Sequence, residues 1–205
     1  MKVGIIGGTG KFGAALALRL REAGHEVVLG SRDASRAEEA AAELGVSGAT
    51  NADCVRGVDL AVLAVKAEGA IETAAELAGP LASTPLLCVA AELRFGSGGV
   101  RPTLEARSLA ERVADAVGAP VVAGLHSLAA SNLAADLPDE DTLVCGDDAD
   151  SKELVLGLAG QLVAGRAIDA GPLAGARTLE GLTAVIVNVN KRYRAHAGVR
   201  LTGLA

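Results

Sequence analysis

Hydrophobic residues along this chain come in two rhythms. Short unbroken apolar runs alternate with longer stretches in which apolar positions recur every three or four residues, the pattern of buried strands alternating with amphipathic helices. The runs predict strands over Met1–Ile6, Glu26–Leu29, Asp59–Val65, Leu86–Val89, Pro120–Ala123, Asp141–Val144 and Arg166–Asp169. The intervening periodic stretches predict helices over Lys11–Ala23, Asp33–Leu44, Ala70–Leu81, Thr103–Val117, Ser151–Val163 and Arg177–Arg194. Gly24 suits the end of the first helix, and Gly79-Pro80 the end of the third. Asp59–Val65 is read as the third strand of the first half. Gly45–Asp59 is read as an irregular connection with a short helical stretch near Ala52–Arg56. Strands apolar on both faces belong in a parallel sheet covered by helices on both sides.

The first strand runs straight into Gly7-Gly8-Thr9-Gly10-Lys11-Phe12-Gly13 and then into a helix. Gly8, Gly10 and Gly13 have the G-x-G-x-x-G spacing that accommodates a dinucleotide pyrophosphate. On this reading Gly8 permits the tight turn, Gly10 lets phosphate approach the backbone, and Gly13 lets the helix pack close to the strand. Free N–H groups and the dipole at the helix start favour the anion. The expected fold is therefore α/β: a Rossmann-type, doubly wound, mostly parallel sheet with extra strands and a small C-terminal helical extension. Residues 1–170 form the extended dinucleotide-binding domain, and 171–205 the C-terminal helix and tail.

Composition narrows the function classes. Half of the 205 residues are hydrophobic, yet there is no Trp, one Tyr and two Phe, so the core must be built from Ala, Leu and Val. A net charge of −6 with few aromatic platforms argues against nucleic-acid binding. No apolar run approaches the roughly 18 residues of a membrane span. The three cysteines, Cys54, Cys88 and Cys145, are dispersed, and no leader pattern precedes the first strand, so reduced thiols and a cytoplasmic protein are expected. No Cys/His cluster suggests a metal site. Asp147, Asp148 and Asp150 lack the spacing of a calcium loop and read as a polar helix start.

The second strand decides the cofactor. A carboxylate at its end would bond the ribose hydroxyls of NAD. Here it ends in Leu29-Gly30-Ser31-Arg32, with Arg36 one turn on. Ser31 can donate to a 2′-phosphate, as can Thr9, and the guanidinium of Arg32 can pair with it, so NADP is expected over NAD. The structural alternative is that Ser31 caps the next helix. Val65 and Lys66 leave the following strand at the edge where open α/β sheets bind ligands. Ala90–Pro102 leaves the same edge and reads as too glycine-rich for a regular element, either a lid or a surface loop. Gly124–Asn132 also exits there. Within it His126 is either a proton donor or, as favoured here, a residue that orients the loop. The stripe Leu179, Leu182, Val185, Ile186 and Val189 on the last helix reads as core or dimer interface. The tail His196–Ala205 reads as a strand-like arm.

From end to end the chain resembles the F420-dependent NADP reductases. The likeness lies in Gly7-Gly8-Thr9-Gly10 with Gly13, Gly24-His25-Glu26-Val27-Val28 leading to Gly30-Ser31-Arg32, Leu125-His126 with Ala129-Ala130, Cys145-Gly146-Asp147-Asp148 with Ser151-Lys152, and Asp169–Leu173. The resemblance implies hydride transfer between NADP(H) and the deazaflavin coenzyme F420, with no covalent intermediate and no catalytic side chain: the protein positions two flat rings and excludes water. It implies a deazaflavin near Leu128, Ala129, Ala130 and Asn132 and a nicotinamide against Ala90 and the His126 loop. Residues 171–205 are expected to complete the acceptor site, and a homodimer is expected because the Arg177–Arg194 stripe and the apolar tail need cover. The chain departs from the family where it has Ala129 in place of Pro and in Cys88–Glu92. Glu92 brings negative charge toward an acceptor that carries phosphate and glutamyl groups, which Arg94 and Arg101 would offset. The departures motivate two alternatives: an NADPH-dependent reductase of another acceptor, a flavin or an imine, and a non-catalytic NADP-binding sensor.

Overall fold

A computed structural model describes residues 1–204. An eight-stranded sheet forms its centre, with strands in the order β10-β9-β8-β5-β4-β1-β2-β3. These are β1 (Lys2–Ile6), β2 (Glu26–Ser31), β3 (Ser47–Thr50), β4 (Leu60–Leu63), β5 (Leu86–Cys88), β8 (Val121–Gly124), β9 (Thr142–Gly146) and β10 (Ala167–Asp169). All neighbours pair in parallel except β8 and β9. Helices cover both faces and bury two cores. One lies around Ile5, Leu16, Leu20 and Leu29, the other around Leu63, Leu77, Leu86 and Leu109. Aliphatic side chains do nearly all of this filling, as the composition requires. The doubly wound, mostly parallel α/β fold expected from the sequence is present.

Four expectations are corrected. The irregular connection after residue 45 contains strand β3, which extends β2 at the sheet edge. It escapes the hydrophobic pattern because Ser47-Gly48-Ala49-Thr50 is small and partly polar, and backbone pairing alone defines it. The strand read as third in the first half, now β4, instead pairs with the other side of β1 and opens the second half. The glycine-rich segment after Ala90 is a hairpin of β6 (Leu93–Gly96) and β7 (Gly99–Pro102). Asn188, on the long helix α8 (Ala176–Tyr193), pins it: its Oδ1 accepts from the Val100 N–H at 2.8 Å and its Nδ2 donates to the Val100 carbonyl at 2.7 Å. The helix expected from Thr103 starts at Leu109 as α5 (Leu109–Ala116), where Ser108 and Glu111 form a reciprocal capping box.

Smaller differences follow similar lines. Asp148 accepts from the Ser151 N–H and starts α7 (Ala149–Ala159) two residues early. Helix α4 (Ala67–Leu81) also begins early and carries Pro80 in its last turn. No strand forms in the tail among the described residues, and Ala205 lies outside them. A buried carboxylate latches the tail instead. Asp141 is fully buried and bonds Arg166 at 2.8 Å and the Leu201 N–H at 2.8 Å, while its own N–H donates to the Val199 carbonyl at 2.7 Å. These bonds hold the Asp141 carboxyl well below the usual carboxylate range.

Candidate functional site

Strands β1 and β4 diverge in connection at their C-terminal ends, the place where open α/β sheets leave a crevice. The glycine turn lies there. Gly7 adopts φ +70°, so it supplies the left-handed conformation of the tight turn. Gly8 is required for space: a Cβ would come 2.3 Å from Leu29 Cδ2 and 2.9 Å from the Ile5 carbonyl. At Gly13 a Cβ would meet the Gly8 backbone at 2.7 to 2.9 Å, so α1 (Lys11–Glu22) approaches the turn as closely as its sequence permits. Gly10 is different. Its nearest neighbour to a Cβ would be the Gly7 carbonyl at 3.6 Å, and no side chain caps the helix it begins. An open glycine face before an uncapped helix start is a fit for pyrophosphate. Phe12 is half-buried and packs into the core.

The turn has a support that was not read from the sequence. Asn51, in the short helix α3 (Asn51–Cys54) after β3, accepts from the Gly7 N–H at 3.1 Å through Oδ1. Room for it comes from Gly30, where a Cβ would lie 2.8 Å from that oxygen and 2.4 Å from Cys54 Sγ. The available signal was Gly30 itself, because a glycine inside a strand marks close approach by another group.

Thr9, Gly10, Ser31, Arg32, Arg36, Val65 and Lys66 line one cleft of about 590 Å³ with Asn51. Ser31 is buried and does not cap the next helix. Its Oγ accepts from the Asp33 N–H at 3.3 Å, and Asp33 caps α2 (Ala34–Leu44) by accepting from Ser35 and Arg36. Both guanidiniums, Arg32 and Arg36, are exposed and have no ion-pair partner among the described residues. Lys66 is likewise exposed.

The second group of expected residues lies around the loop after β8. Leu125 is buried with φ +63°, an uncommon conformation for a branched side chain and one that places strain at the sheet's ligand-binding edge. His126 is 7 % exposed, and its Nε2 lies 3.3 Å from the Ala90 carbonyl. Its own carbonyl accepts from Thr183 Oγ1 at 2.9 Å. Burial pushes its pKa down from 6.5 to about 4, against the smaller opposing effect of the Ala90 carbonyl. The imidazole is therefore neutral at pH 7. It donates from Nε2 and ties the β8 loop to the end of β5, which is the orienting role favoured above.

Leu128 is buried, and Ala129 begins α6 (Ala130–Ala135) without a side-chain cap. Ala130 and Lys11 line an apolar groove of about 390 Å³ between α6 and α1. Asn132 is turned elsewhere: its Nδ2 donates to Glu140 at 3.4 Å and to the His196 carbonyl at 3.3 Å, in contact with the tail. The unfavourable charge expected from Glu92 is neutralised. Its carboxylate accepts from Arg112 at 2.6 Å and Thr103 at 2.8 Å; burial alone would raise its carboxyl, but these bonds together with the charges of Arg112 and Arg177 hold it below the usual range.

All three thiols are free and buried. Burial pushes both Cys54 and Cys88 up to about 12, so neither is a nucleophile at neutral pH. Cys54 lies under Gly30 and Asn51, and Cys88 Sγ is 4.0 Å from the Ala90 carbonyl.

Comparison with known proteins bears on both halves of this arrangement. Residues 2–92 match the family model described as NADP oxidoreductase, coenzyme F420-dependent. The F420-dependent NADP reductase of Methanothermobacter thermautotrophicus is 36 % identical across all of this chain and 96 % of its own length. That of Methanothermobacter marburgensis is 35 % identical across all of this chain and 99 % of its own length. A solved Arthrobacter sp. FB24 structure, provisionally named an F420-dependent NADP reductase, superposes with a TM-score of 0.87 at 28 % identity and covers 99 % of this chain and 100 % of its own.

Proposed function

The chain belongs to the F420-dependent NADP reductase family, and from that premise we propose that it transfers a hydride between NADP(H) and coenzyme F420. The observation that carries this reading is 36 % identity over an alignment that spans the whole chain and so extends past the nucleotide-binding half. The cleft fits the dinucleotide on independent physical grounds: an open face at Gly10, an uncapped helix start, and two uncommitted guanidiniums beside a buried serine.

We assign the pyrophosphate to Gly8–Gly13, including the Lys11 and Phe12 backbone, and the 2′-phosphate to Thr9, Ser31, Arg32 and Arg36. Val65, Lys66, Ala90 and His126 border the nicotinamide. Leu128, Ala129 and Ala130 border the deazaflavin, with residues 171–205 completing that side as an extension of the 1–170 domain; Asn132, expected there from the sequence, instead ties α6 to the tail. When bound, the two coenzymes supply the donor and acceptor carbons. The protein's contribution is placement. Gly8 and Gly13 fix the turn by close packing, and Asn51 holds it through the Gly7 N–H. His126 couples the two loops at the reacting end without giving up a proton. Small side chains at Ala129 and Ala130 leave room for a flat ring, and a well-oriented pair of reactants gains most of its rate from such positioning.

Loss of the oxidised deazaflavin absorbance when the purified protein is mixed with NADPH and F420 tests the reading. An unchanged spectrum over a broad pH range would refute it. The cell compartment is taken to be the cytoplasm. We also propose a homodimer through the exposed edge of α8, where Val185 is 57 % and Tyr193 70 % exposed; a monomer in sedimentation would refute that.

A further inference from the structure

Arg94 and Arg101 stand directly opposite one another across the β6–β7 hairpin. Like charges in that position destabilise a strand pair. Nothing in the fold relieves them: both are exposed, and neither makes an ion pair or side-chain hydrogen bond among the described residues. Most arginines outside the dinucleotide cleft and the end of α8 are paired. Arg19, Arg107, Arg112, Arg166, Arg177 and Arg200 all pair with carboxylates at 2.8 Å or less. Two unpaired guanidiniums held directly opposite each other, in a protein of net charge −6, point to an external anion.

The local geometry fits one. The two arginines border a concavity of about 450 Å³ over the glycine-rich hairpin turn. A Cβ at Gly98 would come 2.8 Å from an Arg101 guanidinium nitrogen, so the guanidinium lies against bare backbone. Phe95 borders the same concavity, and Lys191 is 5.1 Å from its ring centroid, which brings a third cation close. The platform is held firmly. Asn188 grips Val100 from one side, and Glu92 and Thr103 bond each other at the hairpin's base. Ala90, which we place beside the reacting rings, is four residues before Arg94, so the two Cα atoms are no more than about 14 Å apart.

We infer that the hairpin is a subsite for the anionic side chain of the deazaflavin, with Arg94 and Arg101 pairing to its phosphodiester or glutamyl carboxylates. This deepens the proposed function and rests on it. The hairpin is thus a fixed arm that selects the long, charged acceptor over a bare deazaflavin ring. Guanidiniums suit the task because they present planar paired donors to phosphate and carboxylate alike.

The test compares F420 with a truncated deazaflavin that has the ribityl chain but lacks phosphate and glutamates, each assayed with NADPH. Wild-type protein should prefer F420 by kcat/KM. In Arg94→Ala/Arg101→Ala that preference should fall about tenfold or more, chiefly through KM for F420, and Arg94→Lys/Arg101→Lys should recover part of it. A preference unchanged in the alanine variant would overturn the inference while leaving the proposed function intact. A rise in KM for NADPH alone would also overturn it, because the cations would then belong to the dinucleotide. Wild-type protein that reduces neither deazaflavin would overturn both.

Discussion

His126 links pH to stability in a way that can be measured without any coenzyme. In the folded protein its ring is buried, donates to the Ala90 carbonyl, and has a pKa pushed from 6.5 down to about 4. The unfolded chain takes up a proton near 6.5, whereas the folded chain resists protonation until about 4. Between these values the unfolded state binds more protons, so stability is full above about 6.5 and falls as the pH drops toward 4. The gap corresponds to about 3 kcal/mol lost between pH 7 and pH 4, a large share of a typical domain's total. Urea unfolding at fixed pH values would read it, with His126→Gln as the reference, since glutamine cannot titrate but can still donate to Ala90. Other groups act over neighbouring ranges. Burial raises the carboxyls of Glu140 and Glu180, while hydrogen bonds lower those of Asp148 and Asp169. Both proteins share these, so the wild-type advantage over the variant should shrink by about 3 kcal/mol across the window. Parallel losses in the two proteins would refute the reasoning.

Three further expectations concern the turn, the cofactor edge and the tail. Gly13→Ala should cost about 1–3 kcal/mol in thermal or urea unfolding and weaken NADPH binding, because its methyl group meets Gly8 backbone that cannot move away. Arg32→Ala should weaken NADPH about tenfold or more in a binding titration and leave NADH nearly unaffected, since a charge-assisted bond of roughly 1.5–3 kcal/mol is available only to the phosphorylated form. Equal weakening of both would show that Arg32 does not read the phosphate. Asp141→Asn should speed hydrogen exchange at the Leu201 and Arg166 amides, which donate to that carboxylate, without a comparable change at β1.

The alternation of strands and helices and the glycine turn were legible because each is a local pattern with a local cause, and Ser31 and Arg32 line the cleft at the end of β2 as the strand pattern predicts. Strand β3 was not, since its only definition is pairing with β2 and the close approach of Gly48 to the Ala37 backbone of α2. The hairpin was hidden for a similar reason: Asn188, which pins Val100, is 88 residues away in sequence. Glu92 misled because its partner Arg112 is 20 residues on, across the whole hairpin. Asn51 was missed although Gly30 pointed to it, because a strand glycine says that something comes near without saying what. Residues whose role is to hold another segment in place are the hardest to read, because the sequence shows one half of the contact at a time.

The buried thiols give the molecule two built-in clocks. Cys54 is sealed beneath the strand that carries Ser31, and Cys88 beneath the carbonyl that His126 grips. Neither can react with an alkylating reagent unless the structure around it breathes. The rate of labelling at each sulfur therefore times the opening of one side of the cleft separately from the other, and a coenzyme that stills only one side would slow only one clock.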